Sequence, residues 1–205
     1  MRSLTFEWDS ESVAQVRRKL GKYQSEAPKV LRNAANKTAV SARARLRQEA
    51  QARYTVKTGG FNSRANITRA TLANPTAIIT FRGRPLTSKR FHYTAPATGA
   101  KLEVLKGEGL KPLVISDGVR TARAFTGGVV SGDHVTGQIL QRKADPKTGK
   151  IAGRYPLKVM RSVGIAKMIE TVYDGRGLKK TPLKDEIDKL YKHYTDQEIQ
   201  RVING

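Results

Sequence analysis

The chain predicts an α+β fold: N-terminal helices, a central, mostly antiparallel β-sheet or sandwich, and C-terminal helices. Three observations carry this. Residues 11–53 repeat apolar positions at spacings of three and four, as amphipathic helices do. From about residue 56 the pattern changes to short runs rich in Thr, Ile and Val, separated by Gly, Pro, Asp and Ser, with no helical crossover between them. Helical spacing then returns after about residue 160. Helices, then strands, then helices is an α+β order. At 205 residues the chain fits one domain with a helical appendage. We expect a single domain over 1–173, helical over 1–55 and β-rich over 56–158, followed by a helical extension over 174–205.

Leu4, Phe6 and Trp8 fall on one side of an extended segment, which reads as a short strand. Asp9 or Ser10 can cap a helix over roughly 11–20, with Val13, Val16 and Leu20 on one face and Gly21 as its stop. A longer helix is expected over about 26–53, with Ser25 as a cap candidate and Pro28 in the first turn, where its missing N–H costs little. Its stripe (Ala27, Leu31, Ala34, Thr38, Ala42, Leu46, Ala50) is mostly alanine, so a neighbour can approach closely. Arg43 and Arg47 share a face and Arg45 points nearly opposite. They read either as a solvated surface or as an anion-facing stripe.

Gly59-Gly60 ends that helix. Segments 66–72 and 76–81 read as a hairpin closed by Ala73-Asn74-Pro75. Further strands are expected over 101–106, 113–116, 121–125 and 137–142. Residues 83–100 and 143–150 read as long basic loops that could order only against a partner. A helix near 160–172 carries Met160, Val163, Met168 and Val172, and Asp174-Gly175-Arg176-Gly177 breaks it. Thr181-Pro182 opens a last helix with Leu183, Ile187, Leu190, Tyr191 and Tyr194 as its stripe, and Asp185, Glu186 and Asp188 near its positive end. Thr195 and Glu198 fit a capping box, which suggests a second short helix.

Composition limits the function. Lys and Arg number 39 against 17 Asp and Glu, a net charge of +22. That exceeds what solubility needs and points to a polyanionic neighbour or to acidic protein surfaces. Residues 1–60 hold 13 basic and 5 acidic residues, 61–160 hold 17 and 5, and 161–205 hold 9 and 7. The excess belongs to the body of the chain, not to a tail. Cysteine is absent, which excludes disulfides, thiol catalysis and cysteine-ligated zinc. No apolar run approaches the roughly 18 residues of a membrane span, and the alternating N-terminus does not read as a secretory signal.

Catalytic patterns fail. Gly149-Lys150 is followed by Ile151, and Ala144 stands where a phosphate loop needs its first glycine. Gly107-Glu108-Gly109 lacks the third glycine of a dinucleotide fingerprint. His92 and His134 read as ordinary exposed or partly packed residues, and His193 lies far from both in sequence. Glu103, Glu108, Asp117 and Asp133 could hold a nuclease metal, but no D-x-D or E-x-K spacing joins them. Phe81, Phe91, Tyr93, Phe125 and Tyr155 alternate with basic residues. They suit core packing, with base stacking as the sharper alternative. No catalytic residue, metal ligand, cofactor or small-molecule substrate is expected. The candidate DNA- or partner-binding residues are Arg43, Arg45, Arg47, Lys57, Arg84, Lys89, Arg90, Lys143, Lys147 and Lys150.

The order of short motifs adds a family. Asn36-Lys37-Thr38-Ala39 and Ala42-Arg43-Ala44-Arg45 lie on an alanine-rich helix that ends in Tyr54-Thr55-Val56-Lys57. Ile67-Thr68-Arg69-Ala70-Thr71, Arg84-Pro85-Leu86-Thr87, Arg123-Ala124-Phe125, Gln138-Ile139-Leu140-Gln141-Arg142 and Arg154-Tyr155-Pro156-Leu157 follow. Over roughly 30–170 this succession resembles the minor tail protein Z family of tailed phages and prophages, also described as tail completion proteins. One departure is Ser162-Val163-Gly164, where the family's pattern has a Gly-Pro-Ser-like turn. The resemblance implies a structural, non-enzymatic virion protein of the tail or neck, assembled in the bacterial host cytoplasm. It implies a homo-oligomeric ring, six-fold, at the head-proximal end of the tail. The implied partners are the tail terminator or tail tube protein, the head connector proteins and the end of the virion double-stranded DNA, with no membrane. A stand-alone nucleic-acid-binding protein explains the charge equally well but not the motif order.

Overall fold

Alanine at six of ten buried positions lets one long helix serve as the spine of the first part of the chain. In the computed structural model, which describes residues 2–7, 10–57, 61, 64–131, 134–151, 153, 156–175 and 182–205, helix α2 (Ala27–Arg53) spans 27 residues. That is about 40 Å at 1.5 Å per residue. Ala34, Ala35, Ala39 and Ala42 have no exposed surface. Thr38, equally buried, returns its hydroxyl to the carbonyl of Ala34 at 2.8 Å, which removes the cost of burying it.

The described residues form two compact units. The first comprises 1–50, 60–83 and 165–205. Strand β1 (Arg2–Phe6) and helix α1 (Ser10–Leu20) precede α2. Gly21 takes φ +53 where α1 stops, and a 3-10 stretch (Gly21–Glu26) leads directly into α2. Ser25 therefore lies inside this stretch and not at a helix cap. The expected hairpin is present as β2 (Ala65–Thr68) and β3 (Ala77–Phe81), antiparallel, with Ile67 opposite Ile79. β1 adds to the other edge of β3, giving the order β1-β3-β2, with Leu4 opposite Ile79. Leu4 and Phe6 face inward as their alternation predicts. Trp8, Asp9, Gly59 and Gly60 lie outside the described residues.

The last two helices differ from expectation. α3 runs Ile165–Asp174, so Met160 and Val163 precede it, and Leu157–Val159 is a strand instead. Pro182 precedes one continuous helix, α4 (Leu183–Ile203). The Thr195–Glu198 capping box does not form. Thr195 donates to the Tyr191 carbonyl within the helix at 2.8 Å, and Glu198 is drawn away by Lys37. α4 belongs to the first unit and runs antiparallel to α2. Asn33 and Lys37 meet Glu198, Ser41 meets Tyr194 at 2.8 Å, and Arg45 meets Glu186. Val16, Leu20, Val30, Leu31 and Ile199 close a core where α1, α2 and α4 meet.

The second unit comprises 51–59 and 84–164, and its described strands all pair antiparallel. β4 (His92–Thr94), β5 (Lys101–Glu103) and β6 (Lys111–Pro112) form one sheet. β7 (Val114–Ser116) and β8 (Thr121–Arg123) form a hairpin. β9 (Phe125–Ser131), β10 (His134–Arg142) and β11 (Leu157–Val159) form the third, with β10 central. Backbone bonds stitch these sheets: Ala100 N–H to Ala124 at 2.6 Å, Leu113 to Ala100 at 2.9 Å and Ala124 to Leu113 at 2.8 Å. Ala100, Ala124 and Ile139 form the core beneath, with Tyr93 and Met160 against it. Gly99 takes φ +119 with its missing Cβ 2.9 Å from Arg123 Cβ, so a side chain there is excluded twice over.

The basic segment 83–100 is not a long loop. It contains a 3-10 turn (Ser88–Arg90) and strand β4, and it runs antiparallel to 160–162. Ser88 N–H reaches Met160 at 2.9 Å, Thr87 bridges Arg161, and Ser162 N–H reaches Leu86 at 2.8 Å. A Cβ on Gly164 would lie 3.0 Å from the Arg84 carbonyl. The smallness needed at that turn is thus supplied by Gly164. Among the described residues no helix is long and apolar enough to cross a membrane.

Candidate functional site

The two units handle charge differently. Residues 1–50, 60–83 and 165–205 carry 22 basic and 12 acidic residues, a net of +10, and residues 51–59 and 84–164 carry 17 and 5, a net of +12. In the first unit carboxylates hold helices together by pairing with cations. Asp196 meets Lys19 at 2.7 Å, Glu198 meets Lys37 at 2.6 Å, and Glu186 meets Arg45. In the second unit Lys111, paired with Glu108, is the only Lys or Arg in an ion pair among the described residues. The other described carboxylates there serve His92 or the backbone.

Asp117 shows how. It occupies the turn between β7 and β8, and its Oδ1 accepts the backbone N–H groups of Val119 at 3.0 Å and Arg120 at 2.6 Å. Its Oδ2 accepts Ile151 N–H at 2.8 Å, from a separate turn. These three bonds, the Ile151 bond foremost, hold its carboxyl down at about 2. Asp145 organises that second turn. Its Oδ1 accepts Lys147 and Thr148 N–H at 2.8 and 2.9 Å, its own N–H reaches Lys150 O at 2.8 Å, and Gly149 closes the turn at φ +69. The Thr148 and Lys147 N–H groups hold the Asp145 carboxyl below its ordinary value. Glu103 is likewise lowered, first by His92, whose Nδ1 lies 2.7 Å away, and then by the N–H groups of Gly107 and Gly109.

A pH prediction follows for Asp117. Its folded value lies below the ordinary 3.8, so its contribution is complete above about pH 4 and lost as the pH falls toward 2. Amide exchange at Val119, Arg120 and Ile151 should accelerate between pH 4 and 2, relative to the intrinsic rate. In Asp117→Asn the same amides should exchange faster at pH 6, with no such step on acidification.

Each sequence candidate has a definite place. Arg43 and Arg47 share a face of α2, as their spacing predicts, and line a pocket of about 290 Å³ with Phe61, Phe81, Ile165 and Ile169. Arg43 reaches the Ala65 carbonyl at 3.4 Å. Arg45 points the other way and is held by Glu186. Lys57 lies over the Tyr93 ring, 5.9 Å from its centroid. Arg84 is exposed at the start of the second unit. Lys89 donates to the Gly137 carbonyl at 3.1 Å, and Arg90 is exposed beside it. Lys143, Lys147 and Lys150 are exposed around the Asp145 turn. Within the second unit two groups form: Lys57 N–H donates to the Arg90 carbonyl at 2.8 Å, which brings Lys57 beside the turn of Lys89 and Arg90, and Lys143, Lys147 and Lys150 share another turn.

Sequence reasoning missed Arg120, which the Asp117 carboxylate ties to that same turn. The signal was Asp117-Gly118 between two short strands, a hairpin turn with a charged residue two places on. Of the nuclease candidates, Glu103, Glu108 and Asp117 are each engaged elsewhere, and Asp133 lies outside the described residues. Among the described residues no three His, Asp or Glu side chains gather as a metal site would require. Phe81 and Phe91 are buried, Phe125 is 40% exposed, and Tyr155 and the His134 side chain lie outside the described set. Compared with protein-family models, with curated proteins and with solved structures, the chain matches none.

Proposed function

We propose that this chain is a structural virion protein of a tailed phage or prophage. It acts at the head-proximal end of the tail, in tail completion and head–tail joining, without catalysis. It works as a homo-oligomeric ring, six-fold, near the DNA end. Its partners are the tail terminator or tail tube protein and the head connector proteins. It is assembled in the host cytoplasm and resides in the virion.

The observation that carries this reading is the ordered motif series over roughly 30–170. Contacts between its segments lend support. The Asn36 side chain makes two bonds to the backbone of Ala70, at 3.1 and 2.9 Å, and so joins the motif at 36–39 to the one at 67–71. Arg84-Pro85-Leu86-Thr87 is held against 160–164.

The test is deletion of the gene in its phage or prophage, with electron microscopy of the induced lysate. Filled heads and full-length tails that fail to join, or that join into non-infectious particles, support the role. Normal infectious virions overturn it. A second reading, non-specific nucleic-acid binding as the whole activity, is favoured by the cations of the second unit, of which, among the described residues, Lys111 alone is in an ion pair. Normal virions together with strong DNA binding would establish that reading instead.

A further inference from the structure

We propose that the two turns joined by Asp117, residues 117–120 and 143–150, form one surface that grips the phosphate backbone of double-stranded DNA without reading its sequence. This goes beyond the place near the DNA end given in the reading above, and it does not depend on the virion assignment.

The argument begins with rigidity. The two turns come from different hairpins, yet Asp117 Oδ2 binds Ile151 N–H at 2.8 Å, and Ile151, 5% exposed, anchors the second turn through a bridge to Ala144. Asp145 fixes the rest of that turn from inside. Each turn therefore directs its carboxylate toward backbone N–H groups and leaves its cations outward. Arg120, Lys143, Lys147 and Lys150 are exposed, and none forms an ion pair among the described residues. The cations are placed by a preformed frame, so binding a polyanion requires ordering only their side chains.

The chemistry of the surroundings selects the ligand. A protein partner generally needs an apolar or aromatic centre in its interface. Here the one large apolar side chain that the two turns expose is Val119, 91% exposed at the hairpin tip. Nucleic-acid interfaces are instead polar and strongly positive. Single strands are held by stacking on aromatic rings, and neither 117–120 nor 143–150 contains an aromatic residue. A duplex offers regularly spaced phosphates and asks for no stacking, which matches what these turns present. The pocket beside Arg43 and Arg47 is a weaker candidate, because its lining is largely apolar and Arg43 is turned toward a backbone carbonyl.

The test uses the full chain and a labelled 30-base-pair DNA of mixed sequence, with binding followed by fluorescence anisotropy from 50 to 400 mM NaCl. The variant is Arg120→Gln/Lys143→Gln/Lys147→Gln/Lys150→Gln, which leaves Asp117 and Asp145 in place. Each lost phosphate contact reduces the salt slope by about 0.9, so loss of all four should lower it by about 3.6 and affinity at 100 mM by roughly 1,000-fold or more. The control, Arg18→Gln/Lys184→Gln/Lys189→Gln/Lys192→Gln, removes the same charge from exposed sites of the first unit and should change the slope by less than about 1. Equal losses in the two variants would overturn the proposal, because binding would then follow net charge alone. So would polyglutamate binding as tightly as the duplex, which would assign the surface to acidic protein. A measurement on the unaltered protein stands beside these. Bound duplex should protect Lys143, Lys147 and Lys150 from acetylation more than Lys184, Lys189 and Lys192, and uniform protection counts against the proposal. Failure here leaves the assembly role standing, whereas normal virions after gene deletion leave the DNA grip standing.

Discussion

Lys37→Met is expected to lower the unfolding free energy by about 2–3 kcal/mol at pH 7, near the low end for breaking a buried ion pair because Lys37 itself is half-exposed. Glu198 is the reason. Its side chain is 2% exposed, yet it is ionised between α2 and α4, with Lys37 Nζ at 2.6 Å, Asn33 Nδ2 at 3.0 Å and Arg201 Nη1 at 4.0 Å. Burial pushes its carboxyl up, but Lys37 and Asn33, with Arg201, outweigh burial and hold it below the ordinary range. In the unaltered protein this group therefore stabilises fully above about pH 4.5, and the contribution fades as the pH falls through its lowered value. Without Lys37 burial dominates, and the charge becomes a liability that grows as the pH rises. Urea unfolding followed by far-ultraviolet circular dichroism should show the gap between Lys37→Met and the parent widening from pH 4 to pH 7. Lys37→Met/Glu198→Leu should recover most of the loss, because a buried pair replaced as a unit costs little. A gap that did not change with pH would remove Glu198 from the explanation.

Phe91→Ala is expected to cost about 3–5 kcal/mol, the range for emptying a fully buried aromatic site. Phe91 has no exposed surface, and its N–H closes the 3-10 turn on the Ser88 carbonyl at 3.1 Å. Phe91→Leu should cost less than about 1.5 kcal/mol, since most of the volume remains. The same denaturation experiment measures both. A cost below about 0.5 kcal/mol for Phe91→Ala would be the behaviour of an exposed position and would contradict the packing described above.

Helices α1 and α2, the β2–β3 hairpin and the α+β order were legible because each rests on local periodicity: Val16 and Leu20, the alanine stripe of α2, Ile67 opposite Ile79. Where the sequence misled, a distant partner decided. Met160 and Val163 fit a helical spacing, but the backbone at 157–159 has β10 beside it, so a strand ladder forms there instead. Thr195 and Glu198 have the spacing of a capping box, but Lys37, 161 positions from Glu198 in sequence, captures its carboxylate. Arg84 to Arg90 read as a basic loop because its order comes from residues 160–162, which no local window contains.

For the candidate site, the sequence determined the quantity of charge and the absence of cysteine, and it placed Arg43 and Arg47 on one helix face. It could not show which cations are neutralised. That depends on where the carboxylates point, and only the tertiary structure decides it. Glu186, Asp196 and Glu198 turn to cations on other helices, whereas Asp117 and Asp145 turn inward to backbone N–H groups. The physical reason is range. Periodicity and turn chemistry act over a few residues, while a carboxylate takes the donor that folding brings within 3 Å.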